Sequence, residues 1–165
     1  MSKPIPKDGI VRMPAEEKLQ ELAGPFRDAV GSEALGRFKE RCEGLGLRFA
    51  GDELIILAAL DTPAKVQEFL DGRLYYNDDH ASVEQEETAM PPRLVLRRGM
   101  AHCFEGAMFA YAVNFLHGHE PRLVMLEASQ DADHNVIVCR DRATGLYGSN
   151  AQSRYPVLVG RPAAY

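Results

Sequence analysis

The apolar stretch FEGAMFAYAVNFL, from Phe104 to Leu116, restricts the fold of this 165-residue chain more than any other feature. A helix of this sequence is apolar around nearly its whole circumference, so it has to be buried on all sides. Gly118 supplies the left-handed residue with which helices commonly end. We therefore expect a central buried helix around which the other elements pack.

The hydrophobic period changes after this helix. Short runs rich in β-branched or aromatic residues follow, separated by polar turns, which predicts an antiparallel sheet. These runs are Leu123 to Leu126, Val136 to Cys139 and Leu146 to Tyr147.

Upstream of the central helix the pattern is mainly helical. Helices are predicted near residues 14–29, with a break at Gly24-Pro25, from Ser32 to Gly44, and after the cap pair Thr62-Pro63. The continuous apolar run 54–60 fits either a helix or a strand. The predicted fold class is α+β: a central buried helix with a cysteine at its N-terminus packs on a small antiparallel sheet and follows a helical N-terminal segment.

The chain shows neither internal repeats nor a linker that would divide it. Residues 1–13 contain Pro4, Pro6 and Gly9 without hydrophobic periodicity, which predicts a loosely ordered arm. Residues 14–165 are then expected to form one domain. Within them, the acidic stretch from Asn77 to Thr88 is interpreted as a surface loop.

Composition limits the classes of partner. A net charge of −5 and a pI near 5.5 argue against nucleic acid, because phosphate binding needs clustered Lys and Arg. The sequence also lacks an apolar run of the roughly 20 residues that a membrane helix needs, and its first residues lack a secretion signal. We expect a cytoplasmic protein without a membrane or nucleic-acid partner; its oligomeric state is left open.

The chain has three cysteines, an odd and widely spaced set that does not suggest a disulfide framework. Cys42 recurs at helical spacing and Cys139 lies within an apolar strand, so both are expected to be core thiols. Cys103 differs because it stands at the head of the central helix. The free N–H groups and dipole of a helix N-terminus stabilise a thiolate, and they can also stabilise the oxyanion of acyl transfer. Cys103 is thus the candidate nucleophile.

His134 is the candidate general base. It follows the acidic turn Asp131-Ala132-Asp133 and begins the strand HNVIVCR, from whose rim its ring can reach a helix terminus.

A Cys-His pair usually has a third group that orients the imidazole. If the turn Arg142 to Gly145 joins two antiparallel strands, a residue near Asn150 lies opposite His134, and Asn150 is the first candidate. Gln152 has the same face parity and is an alternative. Asp141 has suitable chemistry but the opposite parity along the strand.

No cofactor or metal is expected. His117-Gly118-His119 lies at a helix stop, and neither Cys-x-x-Cys nor His-x-x-x-His spacing occurs. The glycines form neither a P-loop nor a dinucleotide-binding motif. Glu105, in the first turn after Cys103, is expected to cap free N–H groups rather than to act as a base. His102 precedes Cys103 by one residue, and its side chain is expected to point elsewhere.

The segments RRGMAHCFEGAMFAYAVNFLHGHEPRLVMLEA and DADHNVIVCRDRATGLYGSNAQSRYP resemble the transglutaminase-like superfamily of papain-type cysteine enzymes, over roughly residues 62–157. Within that group the chain looks similar to small bacterial proteins with an AHCFEGA helix, and the helix start also resembles that of arylamine acetyltransferases. The resemblance implies Cys103 as nucleophile and His134 as base. The family's usual third residue is an Asp in a Trp-x-x-x-Asp-Pro-like stretch; the corresponding GLYGSNAQSRYP contains neither Asp nor Trp.

The function expected from these features is that of a cysteine-dependent amide or ester hydrolase, or acyltransferase, that acts on a small-molecule or peptide acyl substrate through a thioester. The alternatives are a binding or scaffolding domain that kept the fold without turnover, motivated by the missing Asp, and a redox-sensing thiol.

Overall fold

The computed structural model describes residues 15–49, 51–78, 88–130, 133–142 and 144–162. The predicted arm 1–13 and the interior of the acidic stretch, residues 79–87, lie outside the described residues. Within the described ranges the molecule is a mixed α+β fold, as the sequence predicted.

Five helices precede the central one: α1 (Ala15–Ala23), α2 (Ser32–Gly44), α3 (Gly51–Ala59), α4 (Pro63–Arg73) and α5 (Pro92–Arg98). A 3₁₀ turn, Gly24–Phe26, ends α1 at the predicted break. Helix α4 begins as predicted, because the Thr62 hydroxyl accepts a hydrogen bond from the Lys65 backbone N–H at 3.3 Å and Pro63 occupies the first turn. The ambiguous run 54–60 is mostly helical, and Asp52 and Glu53 in the first turn of α3 complement its dipole.

The central helix, α6 (Cys103–Leu116), begins at the cysteine and packs mainly against the sheet and helices α4 and α5. Two short parallel strands, β1 (Tyr75–Tyr76) and β2 (Met100–Ala101), pair just before it. The main sheet contains β3 (Arg122–Leu126), β4 (His134–Arg140) and β5 (Tyr147–Asn150) in that order, all antiparallel. Strand β4 is the middle strand and faces α6.

The core lies between α6, the sheet and the upstream helices. Phe109, Val113 and Ile137 are at most 1% exposed, and Phe69 of α4 stacks on Phe109 at a centroid distance of 5.6 Å. Cys42 and Cys139 are buried in this core, as predicted for packing thiols. No helix in the described ranges is both long and apolar enough to cross a membrane.

Gly106 allows the chain after β5 to pass directly beneath the first turn of α6. A Cβ placed on Gly106 would lie 2.3 Å from the Cβ and 3.6 Å from the Cα of Gln152. Gln152 is itself fully buried, so it has little room to move. This contact fixes the separation between the helix that carries Cys103 and the segment that follows β5.

The substitution Gly106→Ala should therefore destabilise the fold by about 1–3 kcal/mol through overpacking. Gly36→Ala is the matched control, because Gly36 lies within α2 with nothing within 4 Å of its added Cβ. It should be neutral or stabilise by up to about 1 kcal/mol through helix propensity. Urea unfolding of both variants measures the difference, and equal stabilities would show that Gln152 gives way.

Candidate active site

A capping box built by His102 and Glu105 fixes the start of α6. The Nδ1 atom of His102 accepts a hydrogen bond from the Phe104 backbone N–H at 3.2 Å, and the Glu105 carboxylate accepts one from the His102 backbone N–H at 3.0 Å. The capping role predicted for Glu105 is confirmed. The expectation that His102 points elsewhere is wrong, because a residue immediately before a helix lies at the N-cap, where its side chain folds back over the first turn.

The Glu105 carboxylate is completely buried and also holds two other segments of the chain. It accepts hydrogen bonds from the Met90 backbone N–H at 2.8 Å, the Thr88 hydroxyl at 2.7 Å and the Asn77 amide at 3.2 Å. The His102 Nε2 atom in turn contacts the Thr88 carbonyl oxygen at 2.8 Å. The helix start is thereby tied to the segments after β1 and before α5.

The Cys103 thiol is partly buried and strongly acidic. Burial by itself raises its pKa, but interactions with the side chains of His102, His134 and Asn135 outweigh burial and lower the pKa to about 5. Its Sγ atom also lies 3.9 Å from the Asp133 carbonyl oxygen. Cys103 is therefore a thiolate at neutral pH.

The structure brings His134 to Cys103. Their hydrogen bond is the largest influence on the histidine and raises its pKa, against the opposing effect of burial. The Nε2 atom of His134 lies 2.8 Å from the Leu158 carbonyl oxygen and donates its proton there, which leaves Nδ1 to face the sulfur. Because the Cys103 pKa falls and the His134 pKa rises, there is a pH range in which Cys103 is a thiolate and His134 is an imidazolium. This range begins near pH 5, where the thiol loses its proton, and ends above the ordinary pKa of histidine, where the imidazolium loses its own.

The backbone carbonyl of Leu158 thus occupies the orienting position for which Asn150 was predicted. Strand β5 pairs Asn150 with Ile137, three residues along β4 from His134. The hairpin does close around residues 142–145, where the Asp141 backbone N–H donates to the Leu146 carbonyl, but that register carries residue 153, not Asn150, to the position across from His134. The Asn150 side chain accepts from the Asn114 amide at 2.9 Å and donates to the Pro63 carbonyl at 2.8 Å. It joins α4, α6 and β5, and its predicted role as orienting group is wrong.

The two alternative third residues also lie elsewhere. Asp141 follows the far end of β4, where its carboxylate accepts hydrogen bonds from the Thr144 backbone N–H and hydroxyl. Gln152 lies under Gly106, and neither of its amide atoms has a hydrogen-bond partner in the described structure. A backbone carbonyl in this position leaves no side-chain signal in the sequence.

Asn135 is a site residue that was not predicted from the sequence. Its side-chain amide lies 3.9 Å from the Cys103 Sγ, and its backbone N–H also donates to that sulfur. Asn135, Ile137 and Cys139 alternate along β4 and are all buried, so Asn135 belongs to the row that faces the core. A polar residue in that row, next to the candidate base, was the available signal.

The remaining potential ligands do not form a metal site: among the described residues, no cluster of three or more His, Cys, Asp or Glu side chains is suitable. Burial raises the pKa of the Cys42 thiol and raises that of Cys139 to about 12. Only Cys103 among the three is a thiolate at neutral pH.

Comparison of the chain with protein-family models and with curated proteins found no match. The geometry around Cys103 is therefore the basis for its functional interpretation.

Alkylation by iodoacetamide should reveal the acidic thiol. Because only the thiolate reacts, the rate at Cys103 should be half-maximal near pH 5 and level above it, with Cys42 and Cys139 nearly unreactive in the folded protein. Peptide mapping by mass spectrometry at each pH assigns the rates. A midpoint near the ordinary thiol value of 9.0 would contradict the hydrogen-bonded arrangement.

The substitution Glu105→Ala should destabilise the protein by about 3 kcal/mol or more, because it leaves several buried donors without an acceptor. Glu105→Gln preserves size and one acceptor oxygen and should cost less. Thermal unfolding measures both, and equal losses would indicate that the side chain contributes only volume.

Proposed function

We propose that this chain is a cysteine-dependent amide or ester hydrolase or acyltransferase of transglutaminase-like type, which acts through a thioester acyl-enzyme. The observation that carries the proposal is the hydrogen-bonded Cys103 and His134 pair at the N-terminus of α6, with the thiol pKa lowered and the imidazole pKa raised.

The geometry supports a two-step mechanism. The Cys103 thiolate attacks the acyl carbonyl carbon, and the resulting tetrahedral intermediate collapses to a thioester as the leaving group takes the proton of the His134 imidazolium. In the second step neutral His134 removes a proton from water or from another acceptor, which attacks the thioester and releases the thiolate. The chain's own residues supply both the nucleophile and the proton carrier, so the proposal includes no cofactor.

The Leu158 carbonyl supports the same assignment. By accepting the Nε2 proton of His134 it holds the ring with Nδ1 toward the sulfur. In a catalytic triad the third residue orients the imidazole in this way. A neutral carbonyl stabilises the imidazolium less than a carboxylate does. This difference fits a site that lacks the Asp usual in the family it resembles.

Exposed apolar side chains flank the pair and favour an acyl group with an apolar part. Phe104 follows Cys103 and is 38% exposed, Leu126 lies opposite His134 in the sheet and is 48% exposed, and Leu158 is 39% exposed. We extend the proposal to the substrate, which is a small-molecule or peptide acyl compound. We also propose that the protein acts in the cytoplasm, without a membrane or nucleic-acid partner.

A panel of activated esters and amides tests the proposal. Wild-type protein should form an acyl adduct at Cys103, visible by intact-mass spectrometry, and should turn over at least one member. Cys103→Ser should abolish the adduct, and His134→Ala should slow acylation by about 10²–10⁴-fold because general acid–base catalysis is lost.

Asn150→Ala is the matched control, since Asn150 is buried and hydrogen-bonded but not directed at the imidazole. It should lower stability by about 1–3 kcal/mol and leave the acylation rate of folded protein within a few fold. If no panel member acylates Cys103, or if His134→Ala reacts like the wild type, a binding domain without turnover becomes the better description.

A further inference from the structure

The described structure contains buried polar groups that the pairing of Cys103 with His134 leaves unexplained. Asn135 is only 7% exposed, and its Oδ1 atom has no hydrogen-bond partner among the described residues. Gln152 is fully buried, and both its Nε2 and Oε1 atoms lack hydrogen-bond partners within the described ranges. Burying an unpaired amide costs free energy, so such groups are usually retained for a purpose.

The two amides belong to one place in the fold. The β4 and β5 ladder ends at Ile137 and Asn150; Asn135 lies two residues before Ile137 on β4, and Gln152 lies two residues after Asn150. Gln152 also contacts the position of Gly106, in the first turn of the helix that begins at Cys103. Both amides thus lie under the N-terminus of α6.

Asn135 presents two donors to the reacting atom. Strand β5 does not extend to cover β4 at Asn135, and the backbone N–H there points to the Cys103 sulfur instead of to another strand. The side-chain Nδ2 atom approaches the same sulfur at 3.9 Å. The Cys103 backbone N–H, at the first position of α6, also lacks an intrahelical acceptor.

We infer that Asn135 is the anion-binding residue of this site: it holds the Cys103 thiolate in the resting protein and the carbonyl-derived oxyanion during acyl transfer, with Gln152 as a positioning residue behind it. The oxyanion role rests on the proposed function, whereas the thiolate role does not. The ligand class is an acyl compound whose carbonyl oxygen becomes negatively charged beside the sulfur.

The chemical step can be written with p-nitrophenyl acetate as the probe. A sulfur electron pair forms the C–S bond, and the carbonyl π pair moves to oxygen, where the Asn135 donors and the Cys103 N–H stabilise it. The carbonyl then re-forms as the C–O bond to p-nitrophenolate breaks, and the electron pair leaves with p-nitrophenolate. Alkylation by iodoacetamide consumes the same thiolate without forming an oxyanion, so the two reagents separate the two roles.

The first measurement addresses the thiolate. Among the described residues, the titratable side chains that lower the pKa of Cys103 are His102, at the head of α6, and His134, on β4, and both are kept. Asn135→Ala should raise the midpoint of iodoacetamide alkylation at Cys103 by about one pH unit. Asn135→Asp, which replaces the amide donor with a negative charge, should raise it further.

The matched control is Asn114→Ala. Asn114 is another fully buried amide whose Oδ1 has no partner in the part of the chain that the structure describes, but it lies near the other end of α6 and donates hydrogen bonds to Ala110 and Asn150. Its removal should leave the alkylation midpoint unchanged. Circular dichroism of each variant confirms folding, and Asn135→Ser serves as a second variant if the alanine form does not fold.

The second measurement addresses the oxyanion. At pH 8.5, where the thiolate is formed in every variant, Asn135→Ala should alkylate within about threefold of wild type, yet release p-nitrophenolate in the acylation burst about 10²-fold more slowly. Gln152→Ala should show a smaller loss of the same kind, with Gln152→Glu as its size-matched partner.

Each of the following results tests a different part of the proposal. An unchanged alkylation midpoint in folded Asn135→Ala overturns the thiolate role. If, relative to wild type, the p-nitrophenolate burst of Asn135→Ala slows no more than its alkylation by iodoacetamide does, the oxyanion role is overturned. A wild type that alkylates with the expected midpoint but never acylates overturns the proposed function and the oxyanion role, while the thiolate role stands.

Discussion

The buried carboxylate of Glu105 is the interaction on which the rest of the site depends. It lies one turn inside α6 and accepts hydrogen bonds from Asn77, Thr88, Met90 and His102. Four donors satisfy a charge that would be costly to bury alone, and through them two other stretches of chain, after β1 and before α5, are fixed against the helix N-terminus. The position of Cys103 is therefore set by a polar network, while the remainder of α6 is held by apolar packing.

The environment of Cys103 follows from that position. Interactions with His102, His134 and Asn135 overcome the burial that would keep the thiol protonated, and Leu158 restrains the imidazole through a main-chain carbonyl. Together they produce an acidic thiol in a protein whose other two cysteines are buried and protonated.

Much of the fold could be predicted from the sequence. The buried α6, the Thr62-Pro63 start of α4 and the three antiparallel strands follow from hydrophobic period and capping chemistry, which are local properties. The run 54–60 could not be assigned, because a short apolar segment has the same composition in either conformation. Cys103 was recognised by its helix position, whereas Asn150 was misassigned because the register set by the turn at 142–145 places it across from Ile137, three residues from His134.

The sequence by itself determined the α+β class, the central helix and the placement of a cysteine at its head, because each depends on residues close together in the chain. Only the tertiary structure decided which groups surround that cysteine. Strand register sets Asn135 beside the sulfur and Asn150 among the helices, and the chain after β5 brings the Leu158 carbonyl to His134. Such contacts join residues far apart in sequence, and one of them uses an atom that every residue possesses, so no residue pattern could have revealed it.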